Sequence, residues 1–177
     1  RLAGWIADRT GEGRVAIGVR ARQPRQIATA FQAIARSGHI AVPIDPSSPV
    51  DRAGVMIADV EAPIVLTDEP SFLAGLPVHV VGVDDAVAAG RPFGAAVELV
   101  ADDITAIIFT SGSTGTPKGT ITTHGRTTNM LERCRAADLG PGQRRYGLPM
   151  TGSISNSEVM LAFALADGAT VVYYDIK

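Results

Sequence analysis

With 177 residues and a mass of 18.4 kDa, the chain can bury the core of one domain, and 46% hydrophobic against 19% charged residues disfavours disorder and coiled coil. Lys and Arg number 16 against 18 Asp and Glu, for a net charge of −2, so neither nucleic acid nor an anionic membrane is expected as a partner held by bulk charge. The lone Cys134 can form no internal disulfide, the apolar run from Val159 to Ala166 is too short to span a bilayer, and no signal-peptide pattern opens the chain, which together point to the cytoplasm.

Leu2, Trp5 and Ile6 recur at i, i+3 and i+4, the spacing of an amphipathic helix. The β-branched run Arg14 to Arg20 reads as a strand. A helix follows from Pro24, with Ile27, Phe31 and Ile34 on one face and Gly38 as its stop. Ile40 to Ile44 predicts a short strand that Pro43 bulges or ends, and Asp45-Pro-Ser-Ser-Pro49 is turn chemistry. Arg52 to Val60 has helical spacing, while Ile64 to Thr67 and Val78 to Val83 read as strands. Residues 84–102 carry Gly90 and Pro92 and read as an internal linker.

Ile104 to Phe109 is a near-continuous apolar strand, as expected where helices cover both faces of a sheet. After a Gly/Ser/Thr loop come a strand at Thr120 to Thr123 and a helix from Arg126 to Ala137. Met130, Cys134 and Ala137 share one face of that helix, which we expect in the core. A final apolar helix, Glu158 to Ala166, leads through Gly168 to a strand at Ala169 to Tyr174. The alternation predicts an α/β fold, a layered sheet with substantial parallel pairing flanked by helices. Because the chain begins at Arg1 within a helix and ends at Lys177 straight after a strand, we expect a piece of a longer protein.

One segment carries chemistry: Phe109-Thr-Ser-Gly-Ser-Thr-Gly-Thr-Pro-Lys-Gly119. It follows a buried strand, and open α/β sheets take ligands at the carboxyl ends of their strands. Gly112, Gly115 and Gly119 let backbone approach a ligand closely. Thr110, Ser111, Ser113, Thr114 and Thr116 supply hydroxyls, and exposed amides form anion-binding nests. Lys118 is the only cation of the segment, a mobile point charge suited to a polyphosphate. A Walker A loop is excluded, because Pro117 precedes the lysine and Gly119 follows it. A nucleophile elbow is excluded as well, since Ser111 stands where its first glycine belongs.

The string Thr110 to Gly119, TSGSTGTPKG, closely resembles the phosphate-binding signature of the adenylate-forming superfamily: acyl-CoA synthetases, luciferases and the adenylation domains of non-ribosomal peptide synthetases. Ala33 to Pro46 (AIARSGHIAVPIDP) is similar to the peptide-synthetase motif LKAGGAYVPIDP, with Ser37 and His39 as variants. Leu161 to Val172 resembles the helix–glycine–strand segment after the family's substrate-pocket motif. The resemblance extends over essentially the whole chain and favours the peptide-synthetase branch.

That resemblance implies residues 1–177 as the partial N-terminal subdomain of an adenylation domain, with the C-terminal subdomain absent. It implies an ATP-dependent ligase, using Mg²⁺, that converts a small carboxylic acid to an acyl-adenylate with release of pyrophosphate. The acyl group then passes to a phosphopantetheine carrier protein or to CoA. Carried over by position, Thr110, Ser111, Gly112, Ser113, Thr114, Gly115, Thr116, Lys118 and Gly119 would bind the β- and γ-phosphates. Lys118 would serve phosphate positioning, since the family's catalytic lysine belongs to the C-terminal subdomain. The remainder of its own adenylation domain is the further partner implied, and the isolated chain is expected to be inactive. The alternative is a degenerate, non-catalytic module that keeps the scaffold for binding or interaction.

The substrate pocket departs from the pattern. Aligning Glu158 with the glutamate of Phe-Asp-x-Ser-x-x-Glu puts Gly152 at the aromatic and Ser153 at the aspartate, while Ser155 matches and Asn156 follows. A serine hydroxyl cannot pair an ammonium as a buried carboxylate does. Ser153, Ser155 and Asn156 therefore suggest a pocket for an acid lacking an α-ammonium, with Asp167 as another possible partner for one. His124 reads as a helix-start or turn residue, and His39 and His79 as structural residues among apolar neighbours. Asp102 and Asp103 read as a solvated turn. No His/Cys/Asp spacing makes a metal site.

Overall fold

The computed structural model describes residues 1–110, 117–136, 145–149, 161, 164–165 and 168–174. In chain order the elements are α1 (Leu2–Thr10), β1 (Ala16–Arg20), α2 (Pro24–Arg36), β2 (Ile40–Pro43), α3 (Val50–Asp59), β3 (Ile64–Thr67), a 3₁₀ turn (Pro70–Leu73), β4 (His79–Gly82) and α4 (Val83–Ala89). Then follow β5 (Ile104–Thr110), β6 (Lys118–Thr123), α5 (His124–Ala136), β7 (Arg145–Pro149) and β8 (Thr170–Tyr174).

Six strands form one sheet in the order β4-β3-β1-β2-β5-β6. β1 pairs in parallel with β2 and β3, β3 with β4, and β2 with β5; β6 alone turns back antiparallel to β5. β7 and β8 pair in parallel as a second, two-stranded sheet. The period of two along each strand sorts its side chains between two cores. Ile17, Val19, Ile64 and Leu66 face α1, α2 and α4, where Trp5, Ile6, Phe31, Ile34 and Val83 are buried. Val42, Ile44 and Val65 face the other way, against Met56 and Ile57 of α3 and Leu73 of the 3₁₀ turn. Burying each such aliphatic side chain contributes about 1.5–3 kcal/mol, which is why apolar patterning decides these strands.

Local chemistry sets the boundaries. Pro24 stands in the first turn of α2, where its missing N–H costs nothing. Gly38, at φ +80°, closes the other end: its N–H donates to the Ala35 carbonyl and that of His39 to Ile34. Pro43 is the last residue of β2.

The structure departs from the sequence expectations at four points. Within 84–102 it forms α4, whose Val83 and Ala86 are buried. β7 forms over Arg145–Pro149, where the sequence analysis assigns no element. Met130 is 44% exposed, so its face of α5 is not core among the described residues; the side chain of Cys134 lies outside them. His79 is exposed, although its ring packs edge-on against Trp5 with centroids 5.8 Å apart. No helix among the described residues is long and apolar enough to cross a membrane.

Candidate phosphate-binding site

Strands β1 to β5 run in one direction, so Arg20, Pro43, Thr67, Gly82 and Thr110 end along one edge of the sheet. Because β6 is antiparallel to β5, its first residue returns to that same edge. Thr110 and Lys118 are register partners, directly opposite each other across the hairpin. Such partners present their side chains on one face with Cβ atoms about 5 Å apart, within reach of one ligand group. Both are exposed. Among the described residues, no acidic side chain lies within ion-pairing distance of the Lys118 ammonium.

Gly119 follows in β6 opposite Phe109, and a Cβ there would come 2.8 Å from Ile107 Cγ2. The hairpin can thus pack Ile107 against the strand that carries the lysine. Ser111, Gly112, Ser113, Thr114, Gly115 and Thr116 lie outside the described residues, as do Gly152, Ser153, Ser155, Asn156 and Asp167. The structure therefore brings Thr110, Lys118 and Gly119 together at the edge where a ligand is expected.

The same edge holds a cluster that sequence alone does not single out. Arg20 is fully buried: Nη2 donates to the Pro46 carbonyl at 2.7 Å, and Nη1 to Glu69 Oε2 at 3.2 Å. Its guanidinium lies 3.7 Å from the centre of the Phe72 ring. Asp68 Oδ2 accepts from the N–H groups of Arg22 and Gln23, the unpaired donors that precede α2. An arginine at the end of a strand-like run, followed some fifty residues later by Asp-Glu, gives no local sign of pairing.

The histidines stand apart from this edge. His124 opens α5, and its N–H donates to the Asp103 carbonyl at 2.9 Å, at the opposite end of β5 from Thr110. His39 is buried, as expected. The Val15 N–H donates to its Nδ1 at 3.3 Å, so Nε2 carries the proton and donates to Thr10 Oγ1 at 2.9 Å; Thr10 donates in turn to the Ile6 carbonyl at 3.1 Å. Burial, with the nearby Arg14 charge, pushes the His39 pKa below its ordinary value. Asp102 and Asp103 lie in the turn before β5, as expected, with Asp102 exposed and Asp103 also ion-paired with Arg14. Among the described residues, no group of three His, Cys, Asp or Glu side chains could hold a metal.

Over residues 1–177 the sequence matches the family described as AMP-binding enzyme. The chain belongs to that family. It is 36% identical over 148 residues to a linear gramicidin synthase of Brevibacillus parabrevis, a match spanning 80% of this chain and 3% of that protein. Its fold is that of the N-terminal subdomain of Klebsiella oxytoca NpsA, with a TM-score of 0.81 at 24% identity, covering 98% of this chain and 45% of the other. It is likewise that of o-succinylbenzoate CoA synthetase (MenE) of Bacillus subtilis in complex with the acyl-adenylate intermediate OSB-AMP, with a TM-score of 0.86 at 21% identity, covering 98% and 47%. MenE has also been solved with ATP and a magnesium ion. The chain thus spans a small fraction of the gramicidin synthase and less than half of the NpsA and MenE chains. The expected α/β architecture, its parallel sheet and the resemblance to adenylate-forming enzymes are all borne out.

Proposed function

We propose that the chain is the ATP-clamp portion of an acid:thiol ligase, the partial N-terminal subdomain of an adenylation domain. The observation that carries this reading is the register pair of Thr110 and Lys118, which brackets a hydroxyl-rich string at the ligand edge of the sheet in a member of the AMP-binding family. In the complete reaction the substrate carboxylate attacks the α-phosphorus of ATP, pyrophosphate leaves, and a carrier-protein phosphopantetheine or CoA thiol then displaces AMP. The residues of this chain would bind and orient the leaving polyphosphate and offset its developing charge.

An exposed ammonium with no acidic partner among the described residues suits a polyanion. Thr110 and the loop residues Ser111 to Thr116 supply neutral donors around it. Magnesium would arrive with the nucleotide, and we assign it no ligand in this chain. Gly152 and Ser153 support an acid without an α-ammonium, such as an aryl, hydroxy, keto or fatty acid. The thiol acceptor and the single cysteine of this sequence, Cys134, both suit a reducing cytoplasm.

Pyrophosphate exchange tests the proposal. The 177-residue chain alone is expected to give no exchange, and the full-length ligase to exchange with amine-free acids. Strong exchange by the isolated chain would overturn the fragment assignment, and robust turnover of an ordinary α-amino acid the pocket assignment. An inactive full-length protein would favour a non-catalytic scaffold.

A further inference from the structure

The opposite, amino-terminal edge of the sheet holds a clamp that does not touch the candidate phosphate site. Arg14 stands just before β1. Its Nε donates to the Gly38 carbonyl at 2.7 Å, Nη1 pairs with the Asp103 carboxylate, and Nη2 donates to the Ile104 carbonyl. Asp103 Oδ2 accepts the Val100 N–H at 2.7 Å, and the Asp103 carbonyl accepts the His124 N–H at 2.9 Å. Gly125 N–H closes the set on the Ala101 carbonyl at 2.7 Å. One partly buried guanidinium therefore touches the turn between α2 and β2 and the start of β5, and through Asp103 reaches the residue that follows β6.

At this junction the hairpin joins the rest of the sheet through few ladder pairs. β1 shares four register pairs with β2 and four with β3, and β3 shares four with β4. β5 joins β2 through one, Ala41 with Ala106. At the same end the β5–β6 register shifts at Thr105, whose hydroxyl donates to the Thr122 carbonyl at 3.2 Å. A bulge loosens the ladder locally. The fork of Arg14 supplies fixed donors at the place where ladder bonds are few.

We propose that Arg14 and Asp103 are positioning residues for Thr110 and Lys118, the pair assigned above to phosphate binding. They fix the amino end of the β5–β6 hairpin, and with it the place of Thr110 and Lys118, about 20 Å away at the other end of β5. The proposal rests on the phosphate-clamp assignment of those two residues. A lysine would keep the charge but could not span two carbonyls and a carboxylate, because the planar fork is specific to arginine.

The test measures pyrophosphate exchange in the full-length ligase, varying ATP and acid separately. Arg14→Lys and Asp103→Asn are expected to raise the KM for ATP about tenfold and leave the KM for the acid unchanged. Arg91→Ala, which breaks the exposed pair with Asp8, is expected to leave both unchanged. A purely structural clamp would lower the melting temperature and the active fraction with the ATP KM unaltered, and that result would overturn the proposal. Amide exchange on the 177-residue chain gives a readout independent of activity. Residues 104–110 and 118–123 should exchange faster in Arg14→Lys while β1 and β3 stay protected; uniform acceleration of all strands would also overturn it. Lys118→Ala tests the underlying assignment separately. If it leaves the ATP KM and rate intact, the phosphate clamp itself fails, whatever the Arg14 variants do.

Discussion

Arg20 and Lys118 are two cations on one edge of one sheet, and the surroundings of each decide its role. Arg20 ends β1 with no exposed surface, held by the Pro46 carbonyl, Glu69 and the face of Phe72. Lys118 begins β6 in solvent, opposite Thr110, with no acid near it among the described residues. The first is tied to the fold, because a buried guanidinium without partners would be too costly to keep. The second has exposed donors, which the proposed phosphate clamp would use. A cation at the ligand edge of an α/β sheet is therefore a stronger site candidate when the fold does not already engage its charge.

Four measurements would break or sharpen that contrast. The largest effect is expected from Lys118→Ala, which should cost the full-length ligase about a hundredfold in exchange rate, the size seen when one preorganised charge-stabilising donor is lost. Urea unfolding of the 177-residue chain should not register the change. Arg20→Met should behave in the opposite way, lowering stability by about 2 kcal/mol through lost charged hydrogen bonds while the ATP KM stays put. The figure sits below that for breaking a fully buried pair, since Glu69 is half exposed and returns to water. If Arg20→Met alters ATP binding instead, the two cations belong to one site and the contrast fails.

A smaller effect is expected from pH. His39 has its pKa depressed in the fold, by burial first and Arg14 second, so the unfolded chain takes up its proton first. Stability should be full above about pH 6.5, the ordinary histidine value, and decline as pH falls toward the lower folded value. His39→Gln should flatten that decline, and chemical denaturation between pH 7 and 5 reads it. The Asp8 and Asp84 carboxyls do not interfere, being held below their ordinary value of 3.8 by hydrogen bonds from Arg91 and Arg25 respectively. Last, Arg25→Ala, which removes an exposed partner of Asp84, should leave both the unfolding midpoint and catalysis unchanged.

Elements whose apolar residues sit in one run were legible in the sequence. Ile64 to Thr67 is β3 as expected, and Ile104 to Phe109 is β5 without its last residue. The family resemblance carried by Thr110 to Gly119 was legible because its residues are contiguous. What was not legible depends on distance along the chain. Arg14 and Asp103 meet across 89 residues, and nothing near either one signals the other. The helix α4 is short, and Asp84, Asp85, Gly90 and Pro92 outweigh its two buried residues, Val83 and Ala86, in any local pattern. β7 carries Gly147 and Pro149 and exists through its pairing with β8, a contact no window of its own sequence contains. Met130 failed in the other direction: i, i+4 spacing identifies a face of α5, but not whether anything covers it.

The hairpin has one more consequence. Since Thr110 and Lys118 are already paired, the ends of the seven intervening residues are tethered by β5 and β6 rather than by the loop itself. Closing a longer loop between fixed ends is cheap, about 0.6 kcal/mol for each doubling of its length. Lengthening the segment between them is therefore expected to cost the fold little, while the two posts, Thr110 and Lys118, stay where they are.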